Sequence, residues 1–274
     1  MIDTIIQGDC LEIMPSIPDS SIDLTVTSPP YDNLRKYNGY TFDFEGIAKE
    51  LFRVTKPGGV VVWVVGDATI DGSETGTSFK QALYFKEIGF KLHDTMIWNK
   101  GAFSAVGALQ TRYAPVFEYM FVLCKDSIKT FNPIKDHVNR CAGEKIRGAK
   151  RTSDGKLKPK SANSNKGNII QSNGQRFNIW NINPVKNNIF GHPAPFSEQL
   201  AADHILSWSN PGDIILDPMC GSGTTCKMAK YHDRRFIGIE ISEEYCEIAR
   251  KRIAAIPINL NQFSFTESQK KIEA

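Results

Sequence analysis

The segment Asp217-Pro218-Met219-Cys220-Gly221-Ser222-Gly223-Thr224-Thr225 decides the fold of this 274-residue chain. It follows the apolar run Ile214-Ile215-Leu216, which predicts a strand, and it precedes residues 224–231, whose pattern predicts a helix. Its glycines let the backbone turn tightly and approach a ligand closely, and the amides at the start of the helix point toward that turn. A strand, a glycine-rich turn and a helix in this order predict a ligand site at the carboxyl end of a strand in an open α/β sheet.

Two carboxylates indicate the kind of ligand that this turn binds. Asp217 ends the first strand, and a carboxylate suits an ammonium or hydroxyl partner better than a phosphate. Glu240 ends the next predicted strand, and an acid at that place commonly holds the ribose hydroxyls of a nucleoside. The turn lacks the GxGxxG order and the lysine of a phosphate-binding loop. On these residues alone, a tight turn without function and a nicotinamide-dependent oxidoreductase both stay open.

Strands alternate with helices along most of the chain, which predicts an α/β fold with a Rossmann-like, doubly wound, mostly parallel sheet. The run Val60–Val65 is apolar on both sides and suits a strand that is buried on both faces. Apolar residues that alternate with polar ones predict strands, and apolar residues that recur about every 3.6 positions predict helices. The predicted strands are 2–6, 22–26, 60–65, 91–98, 115–124, 213–216 and 236–239, and the predicted helices are 11–17, 44–54, 78–88, 197–208, 224–231 and 242–253.

Charge is distributed unevenly although the net charge is only +3. Residues 131–190 contain 12 Lys/Arg and 3 Asp/Glu, whereas the remainder carries a balance of −6. This segment is rich in Gly, Ser, Asn and Lys and poor in aliphatic residues, so we predict a loop-rich basic insertion with little core of its own. A polyanion is the natural partner of such a patch, and a solvated loop is the alternative.

Several classes of protein are disfavoured by the sequence. The longest apolar run has six residues, too few to span a bilayer, and Met1-Ile2-Asp3-Thr4 does not resemble a signal peptide. The six cysteines show no CxxC spacing, so we expect neither a disulfide framework nor a metal site. A reducing cytoplasm is the expected compartment.

A second motif, Thr27-Ser28-Pro29-Pro30-Tyr31, stands at the end of the strand predicted at 22–26. Its two prolines fix the backbone and remove two amide donors, which leaves the Ser28 hydroxyl and the carbonyls around Pro29 as rigid acceptors. Two acceptors beside an aromatic ring suit a planar group that carries an NH2. A pair of prolines that only ends a strand is the alternative.

The two motifs together resemble those of the amino-group DNA methyltransferases of bacteria and phages, which make N4-methylcytosine or N6-methyladenine. The tetrapeptide precedes the cofactor segment, with the basic insertion between them, and this order resembles the class called beta. The resemblance covers nearly the whole chain. It implies the S-adenosylmethionine-dependent methyltransferase fold with a mostly parallel seven-stranded sheet, S-adenosyl-L-methionine as cofactor and double-stranded DNA as partner. It also allows a homodimer and a cognate restriction endonuclease.

The resemblance divides the chain into a catalytic half (1–130), a target recognition insertion (131–190) and a cofactor-binding half (191–274). It implies that a flipped base stacks on Tyr31 while Ser28 and Pro29 accept its amino hydrogens. The expected catalytic residues are Ser28, Pro29, Pro30 and Tyr31. The expected cofactor-binding residues are Asp9, Cys10, His192, Ala194, Phe196, Asp217, Pro218, Met219, Gly221, Ser222, Gly223, Thr224, Thr225 and Glu240. The expected contacts to nucleic acid are Arg35, Lys36, Lys150, Arg151 and Arg176.

Two positions depart from the family pattern. Met219 replaces the usual phenylalanine, which is a tolerable apolar change. Ser28 stands where many members have Asp or Asn, and serine there is more typical of enzymes that methylate cytosine N4. Cytosine N4 is therefore favoured, and adenine N6 stays open. Methylation of RNA or of a glutamine side chain and a non-catalytic DNA-binding module with a vestigial cofactor fold are further alternatives.

Overall fold

The computed structural model describes residues 1–30, 42–101, 111–145, 149–159, 169–185 and 197–256. The chain forms two units. The first combines Met1–Phe131 with Ile179–Ala274, and the second is Asn132–Asn178. The predicted insertion, 131–190, is longer than the second unit because residues 179–181 add a strand to the sheet of the first. In the described part of the chain, no helix is long and apolar enough to cross a membrane.

The first unit is built on a sheet with eight strands among the described residues. The strands are β1 (Thr4–Gln7), β2 (Ile22–Thr27), β3 (Thr55–Val65), β4 (Lys91–Asn99), β5 (Phe117–Cys124), β6 (Ile179–Asn181), β7 (Ile214–Asp217) and β8 (Arg235–Glu240). Their order across the sheet is β1-β8-β7-β2-β3-β5-β4-β6. Strand β5 is antiparallel to both of its neighbours, and the other pairs are parallel.

The predicted fold class is confirmed, and the strand number differs from the expected seven. The additional strand, β6, has three residues and pairs with the end of β4 through Ile179↔Ile97 and Asn181↔Asn99. Three residues are too few to show an alternating pattern. The sequence therefore predicts a loop-rich insertion here, whereas the pairing of β6 with β4 depends on residues that are distant in sequence.

Helices cover both faces of this sheet. They are α1 (Cys10–Ile13), α2 (Phe44–Val54), α3 (Thr77–Glu87), α4 (Glu198–Trp208), α5 (Thr224–Tyr231) and α6 (Glu243–Ala254). Alternate residues of β3 point to opposite faces, as the two-residue period of a strand requires. Val60, Val62 and Val64 belong to the apolar cluster that includes Ile205 of α4. Val61, Trp63 and Val65 belong to the cluster that includes Leu51 of α2.

The described residues of the second unit are held by a short hairpin, by a short antiparallel pairing of distant segments and by polar contacts. Ala149–Arg151 pairs with Leu157–Pro159, and His137–Val138 pairs with Asn173–Gly174. Arg176 forms an ion pair with Asp136. None of this unit's residues 132–145, 151–158 and 169–178 is buried, which is consistent with its sparse aliphatic composition.

Candidate active site

The two motifs meet at one edge of the sheet. Strands β2 and β7 are adjacent and parallel, so their carboxyl ends lie side by side. After β2 the chain continues to β3, which is the neighbour of β2 away from β7. After β7 it continues to β8, which is the neighbour of β7 away from β2. A reversal of this kind opens a crevice at the carboxyl ends of the strands, where α/β sheets bind ligands.

A buried hydrogen bond joins the ends of these two strands. The Thr27 hydroxyl donates to Asp217 Oδ1 over 2.8 Å, across 190 residues of sequence. A second bond runs from the Thr225 hydroxyl to the carbonyl of Val26, over 3.0 Å. These bonds therefore join the start of the Ser-Pro-Pro-Tyr segment to the turn at residues 217–223, which we call the cofactor turn. Thr27 had no role in the sequence prediction, although a hydroxyl directly before Ser28 was the available signal.

The cofactor turn has the left-handed backbone that its glycines predict. Gly221 has φ +49° and Gly223 has φ +75°. The amide of Gly223 donates to the carbonyl of Cys220 over 2.7 Å, and the amide of Cys220 donates to the carbonyl of Ile239 in β8 over 2.8 Å. Gly223 also precedes the first residue of α5. The turn is thus anchored to the neighbouring strand and opens directly into a helix.

Glu240 is oriented by backbone amides at the end of β8. Its Oε2 accepts from the amide of Gly221 over 2.8 Å, and its Oε1 accepts from the amide of Ser242 over 2.9 Å. Burial raises the pKa of Glu240, while these amides oppose the rise. Each carboxylate oxygen retains a further lone pair for a ligand hydroxyl. The position expected to bind ribose is therefore a fixed acceptor.

Asp217 is almost completely buried, with 2% of its surface exposed. Burial raises its pKa to about 6, although hydrogen bonds from the Thr27 hydroxyl and the amide of Met219 oppose the rise, and the charge of Glu240 adds to it. A carboxylate that is hard to ionise in the free protein gains most from a cationic ligand.

Asp9 and Cys10 lie at the end of β1, which is next to β8. Asp9 caps α1, because its Oδ1 accepts from the amide of Leu11 over 2.8 Å. Burial raises the pKa of the Cys10 thiol to about 12, and the charge of Asp9 adds to this effect. A hydrogen bond with Cys226, together with burial, also raises the pKa of Cys220. Both thiols stay protonated at neutral pH and act as small apolar side chains.

The chemistry of these side chains fits one kind of cofactor. Asp9, Asp217 and Glu240 are carboxylates, and Thr224 and Thr225 add hydroxyls. Such a set accepts hydrogen bonds from amino, ammonium and ribose hydroxyl groups, and it would repel phosphates. S-adenosyl-L-methionine carries all three kinds of donor and no phosphate, so the residues fit it.

The described part of the catalytic segment follows β2. Pro29 is buried, whereas Ser28 and Pro30 are half-buried. The structure thus places Ser28 and Pro29 directly after Thr27, whose hydroxyl contacts Asp217. Several expected site residues lie outside the described residues: Tyr31, Arg35, Lys36, His192, Ala194 and Phe196.

The expected contacts to nucleic acid in the second unit fall in two places. Arg151 belongs to a hairpin strand, and Lys150 is the register partner of Lys158 in the same hairpin. Arg176 donates through Nε to Asp136 Oδ2 over 2.9 Å, and this hydrogen bond lowers the pKa of Asp136 despite some burial. The guanidinium of Arg176 therefore links two segments within this unit.

Comparison with known proteins identifies relatives over most of the chain. The model of a DNA methylase family, named N6_N4_Mtase, matches residues 22–251. The orphan methyltransferase M.BamHII of Bacillus amyloliquefaciens is 54% identical over 246 residues, which cover 87% of this chain and 91% of that protein. The type II methyltransferase M.BglII of Bacillus subtilis is 28% identical over 277 residues, covering 94% and 71%.

Two solved structures show the same fold. The PvuII DNA methyltransferase, described as cytosine-N4-specific, has a TM-score of 0.67 at 21% identity and covers 96% of this chain and 89% of its own. The complex of M1.HpyAVI with SAM has a TM-score of 0.60 at 23% identity and covers 91% and 98%.

The fold and the matched residues define the class: this chain belongs to the N6_N4 family of DNA methylases. Within that family it is a bacterial amino-methyltransferase of DNA, of the beta class in which the Ser-Pro-Pro-Tyr segment precedes the cofactor turn. The resemblance stated from the sequence is confirmed.

Proposed function

We propose that this chain transfers a methyl group from S-adenosyl-L-methionine to N4 of a cytosine that has flipped out of double-stranded DNA. The observation that supports this most directly is the buried hydrogen bond between Thr27 and Asp217, because it joins the acceptor-rich segment to the cofactor turn. A methyl donor held at one motif and an amino group held at the other would then be neighbours. Proximity of this kind is a main source of rate acceleration.

Ser28 and Pro29 would bind the amino group of the target base. The Ser28 hydroxyl oxygen and the Pro29 carbonyl each accept one amino hydrogen, which draws the nitrogen lone pair out of conjugation with the ring. Because prolines lack an amide hydrogen, neither Pro29 nor Pro30 offers a competing donor. Tyr31 would stack on the face of the flipped base. Catalysis then depends on positioned dipoles rather than on a covalent intermediate.

The carboxylates would hold the cofactor in one orientation. When it is bound, the cofactor supplies a methyl carbon activated by a neighbouring sulfonium. Asp9 would accept from its adenine amino group, Glu240 from its ribose hydroxyls, and Asp217 from its ammonium group. We further propose that His192, Ala194 and Phe196 line the methionine end.

The choice of base rests on Ser28, since serine at this position is more typical of enzymes acting on cytosine N4. Adenine N6 is the second candidate, because some adenine enzymes also have serine there. A homodimer and a cognate endonuclease stay predictions.

The decisive measurement is the identity of the methylated nucleoside. Incubation of the protein with labelled S-adenosyl-L-methionine and mixed-sequence duplex DNA, followed by digestion and mass analysis, should give N4-methylcytosine. N6-methyladenine would overturn the choice of base and leave the reaction class intact. Label in RNA or protein, with none in DNA, would contradict the proposed substrate.

The same assay tests the catalytic segment. A double variant, Ser28→Ala with Tyr31→Ala, should lose nearly all activity, because it removes one acceptor and a stacking surface worth about 1–3 kcal/mol per base. Cofactor affinity, measured by calorimetry, should be retained since Asp217 and Glu240 are untouched. Full methylation by this variant would contradict the assignment.

The hairpin of Ala149–Arg151 and Leu157–Pro159 is the part of the second unit that we propose for contact with DNA. It carries four basic residues and one acidic residue, and Arg151, Lys156 and Lys158 are exposed. The major groove of DNA accommodates a two-stranded ribbon. Together with Arg35 and Lys36, this hairpin would supply contacts to DNA.

Neutralising the hairpin should make DNA binding less sensitive to salt. In the triple variant Arg151→Gln, Lys156→Gln and Lys158→Gln, the slope of log K against log salt should become shallower by about 2–3, because each phosphate contact contributes about 0.9. Cofactor affinity should not change. The measurement is DNA affinity across a salt series.

A control triple variant changes Lys129, Lys230 and Arg235 to Gln. Arg235 begins β8, Lys230 lies in the last turn of α5 and Lys129 follows β5. All three lie near the amino ends of the parallel strands, opposite the site. Its slope should equal that of the wild type. Equal slopes for both triple variants would remove the hairpin from the DNA interface.

A further inference from the structure

The side chain of Arg252, on the neighbouring helix α6, donates hydrogen bonds to the cofactor turn. Its Nη1 donates to the Ser222 carbonyl over 2.5 Å, to the Ser222 hydroxyl oxygen over 2.8 Å and to the Thr224 hydroxyl oxygen over 3.2 Å. Only 9% of its side chain is exposed. One guanidinium nitrogen therefore contacts both the middle of the Gly-Ser-Gly turn and the first residue of α5.

The other end of the same guanidinium is held by α4. Arg252 Nη2 donates to Glu198 Oε1 over 2.8 Å, and the same oxygen accepts from Lys227 Nζ of α5 over 2.6 Å. Burial raises the pKa of Glu198, but these two hydrogen bonds outweigh it, so the pKa lies below its usual value. Glu198 thus stays ionised at neutral pH and orients Arg252 through a charge-assisted bond.

Glu198 connects this hydrogen-bond network to the start of α4. Glu198 is the first residue of α4, which begins directly after the segment that carries His192, Ala194 and Phe196. A path of three hydrogen-bonded side chains and backbone groups therefore connects the start of α4 with the turn. One end of that path is the cofactor turn, and the other end, Glu198, follows closely in sequence on residues that the proposed function assigns to the cofactor.

We infer that Arg252, oriented by Glu198, is a positioning residue for the cofactor: it holds the Gly221–Gly223 turn in its binding conformation and couples the turn to the start of α4. This inference rests on the proposed cofactor. A turn with two left-handed glycines has many alternative conformations. Two bonds from a planar, permanently charged guanidinium to one residue of that turn restrict it more than a lysine could.

Replacing Arg252 with Met should weaken the binding of S-adenosyl-L-methionine, measured by calorimetry, by roughly tenfold to a hundredfold, the cost of an ångström-scale misplacement of binding groups. The KM for the cofactor should rise in parallel, while kcat at saturating cofactor stays close to that of the wild type. Arg252→Lys should recover part of the affinity. Glu198→Gln, which keeps the size of the side chain, should show a smaller loss in the same direction.

Arg250→Met is the matched control. Arg250 is on the same helix and donates to Glu243 and to the carbonyl of Ile5, away from the turn. It should change the melting temperature without changing cofactor affinity. If Arg252→Met does not fold, Arg252→Lys and Glu198→Gln decide the question.

Two outcomes overturn different statements. If Arg252→Met binds the cofactor as tightly as the wild type, the positioning role is refuted and the proposed function is unaffected. If Arg252→Met does not fold, wild-type affinity in both Arg252→Lys and Glu198→Gln has the same meaning. A wild-type protein that binds no S-adenosyl-L-methionine refutes the cofactor itself, and the inference fails with it.

Discussion

Replacing Asp217 with Asn should weaken cofactor binding by roughly tenfold to a hundredfold while making the free protein more stable at neutral pH, because hydrogen bonds to charged groups contribute about 1.5–3 kcal/mol. The two effects have opposite signs because the buried carboxylate strengthens cofactor binding but lowers the free energy of unfolding at neutral pH. Calorimetry with S-adenosyl-L-methionine measures the first effect, and thermal unfolding measures the second.

The stability effect follows from the direction of the pKa shift. Asp217 has a pKa of about 6 in the folded chain, above its ordinary value of 3.8. The folded state therefore holds the proton more tightly, and stability is lost as pH rises between these two values. The full difference corresponds to about 3 kcal/mol at 1.36 kcal/mol per pKa unit. Since burial of the amide has its own cost, we expect a gain of about 1–3 kcal/mol.

The pH dependence separates this mechanism from general stabilisation. The difference in melting temperature between Asp217→Asn and the wild type should be near zero below pH 4, should grow through pH 6 and should stay constant above it. A domain of this size gains about 2–4 °C per kcal/mol. Wild-type cofactor affinity should fall on acidification through the same range, and the affinity of the variant should not.

Asp213→Asn is the control for this prediction. Asp213 precedes the same strand at its other end, where Oδ2 accepts from the amide of Asn210 over 2.7 Å. This change should leave cofactor affinity unaltered. An Asp217→Asn protein that is less stable than the wild type at every pH, with unchanged affinity, would contradict both parts of the prediction.

Gly223→Ala should destabilise the protein by about 2–5 kcal/mol, because two separate costs add. The φ of +75° lies in the left-handed region, which costs other residues about 1–2 kcal/mol. A Cβ at this position would also lie 2.6 Å from Ala249 Cβ and 3.1 Å from Ala249 Cα in α6, and such overpacking costs about 1–3 kcal/mol. Chemical denaturation measures the loss, and cofactor affinity should fall with it because the turn must shift.

Gly212 separates these two costs. Its φ of +87° is similar, but a Cβ there would meet nothing within 4 Å. Gly212→Ala should therefore lose only the conformational part, about 1–2 kcal/mol, and keep cofactor affinity. Adding Ala249→Gly to Gly223→Ala should recover part of the loss by removing the closest contact. Equal losses at Gly212 and Gly223 would show that contact with α6 does not matter.

The sequence predicted those elements whose patterns are long or strongly apolar. Residues 60–65 were expected to be buried on both faces, and Val60–Val65 divide between the two apolar clusters of the structure. The helix at 224–231 was predicted with the boundaries that it has. By contrast, Ile179–Asn181 was placed in the loop-rich insertion, because a strand of three residues is specified by its partner β4 rather than by its own pattern.

The sequence also did not predict contacts between side chains that are distant in the chain. Thr27 contacts Asp217 across the sheet, and Arg252 contacts Ser222 from another helix. The position of Thr27 directly before Ser28 is a local signal, whereas no local pattern around Arg252 marks its contact. The contact of Arg176 with DNA stays a prediction, and in the structure its guanidinium forms an ion pair with Asp136. Charge in a sequence indicates an anionic partner without saying whether that partner belongs to the same chain.

The sequence by itself determined the class of fold and the chemistry of its two motifs, because hydrophobic period, glycine turns and proline pairs are local properties of the chain. Only the tertiary structure decided which groups meet. The adjacency of β2 and β7, the raised pKa of Asp217 and the bonds of Arg252 to the cofactor turn all arise from burial and from contacts between distant segments. Burial and contact energies belong to the folded arrangement, and no stretch of neighbouring residues contains them.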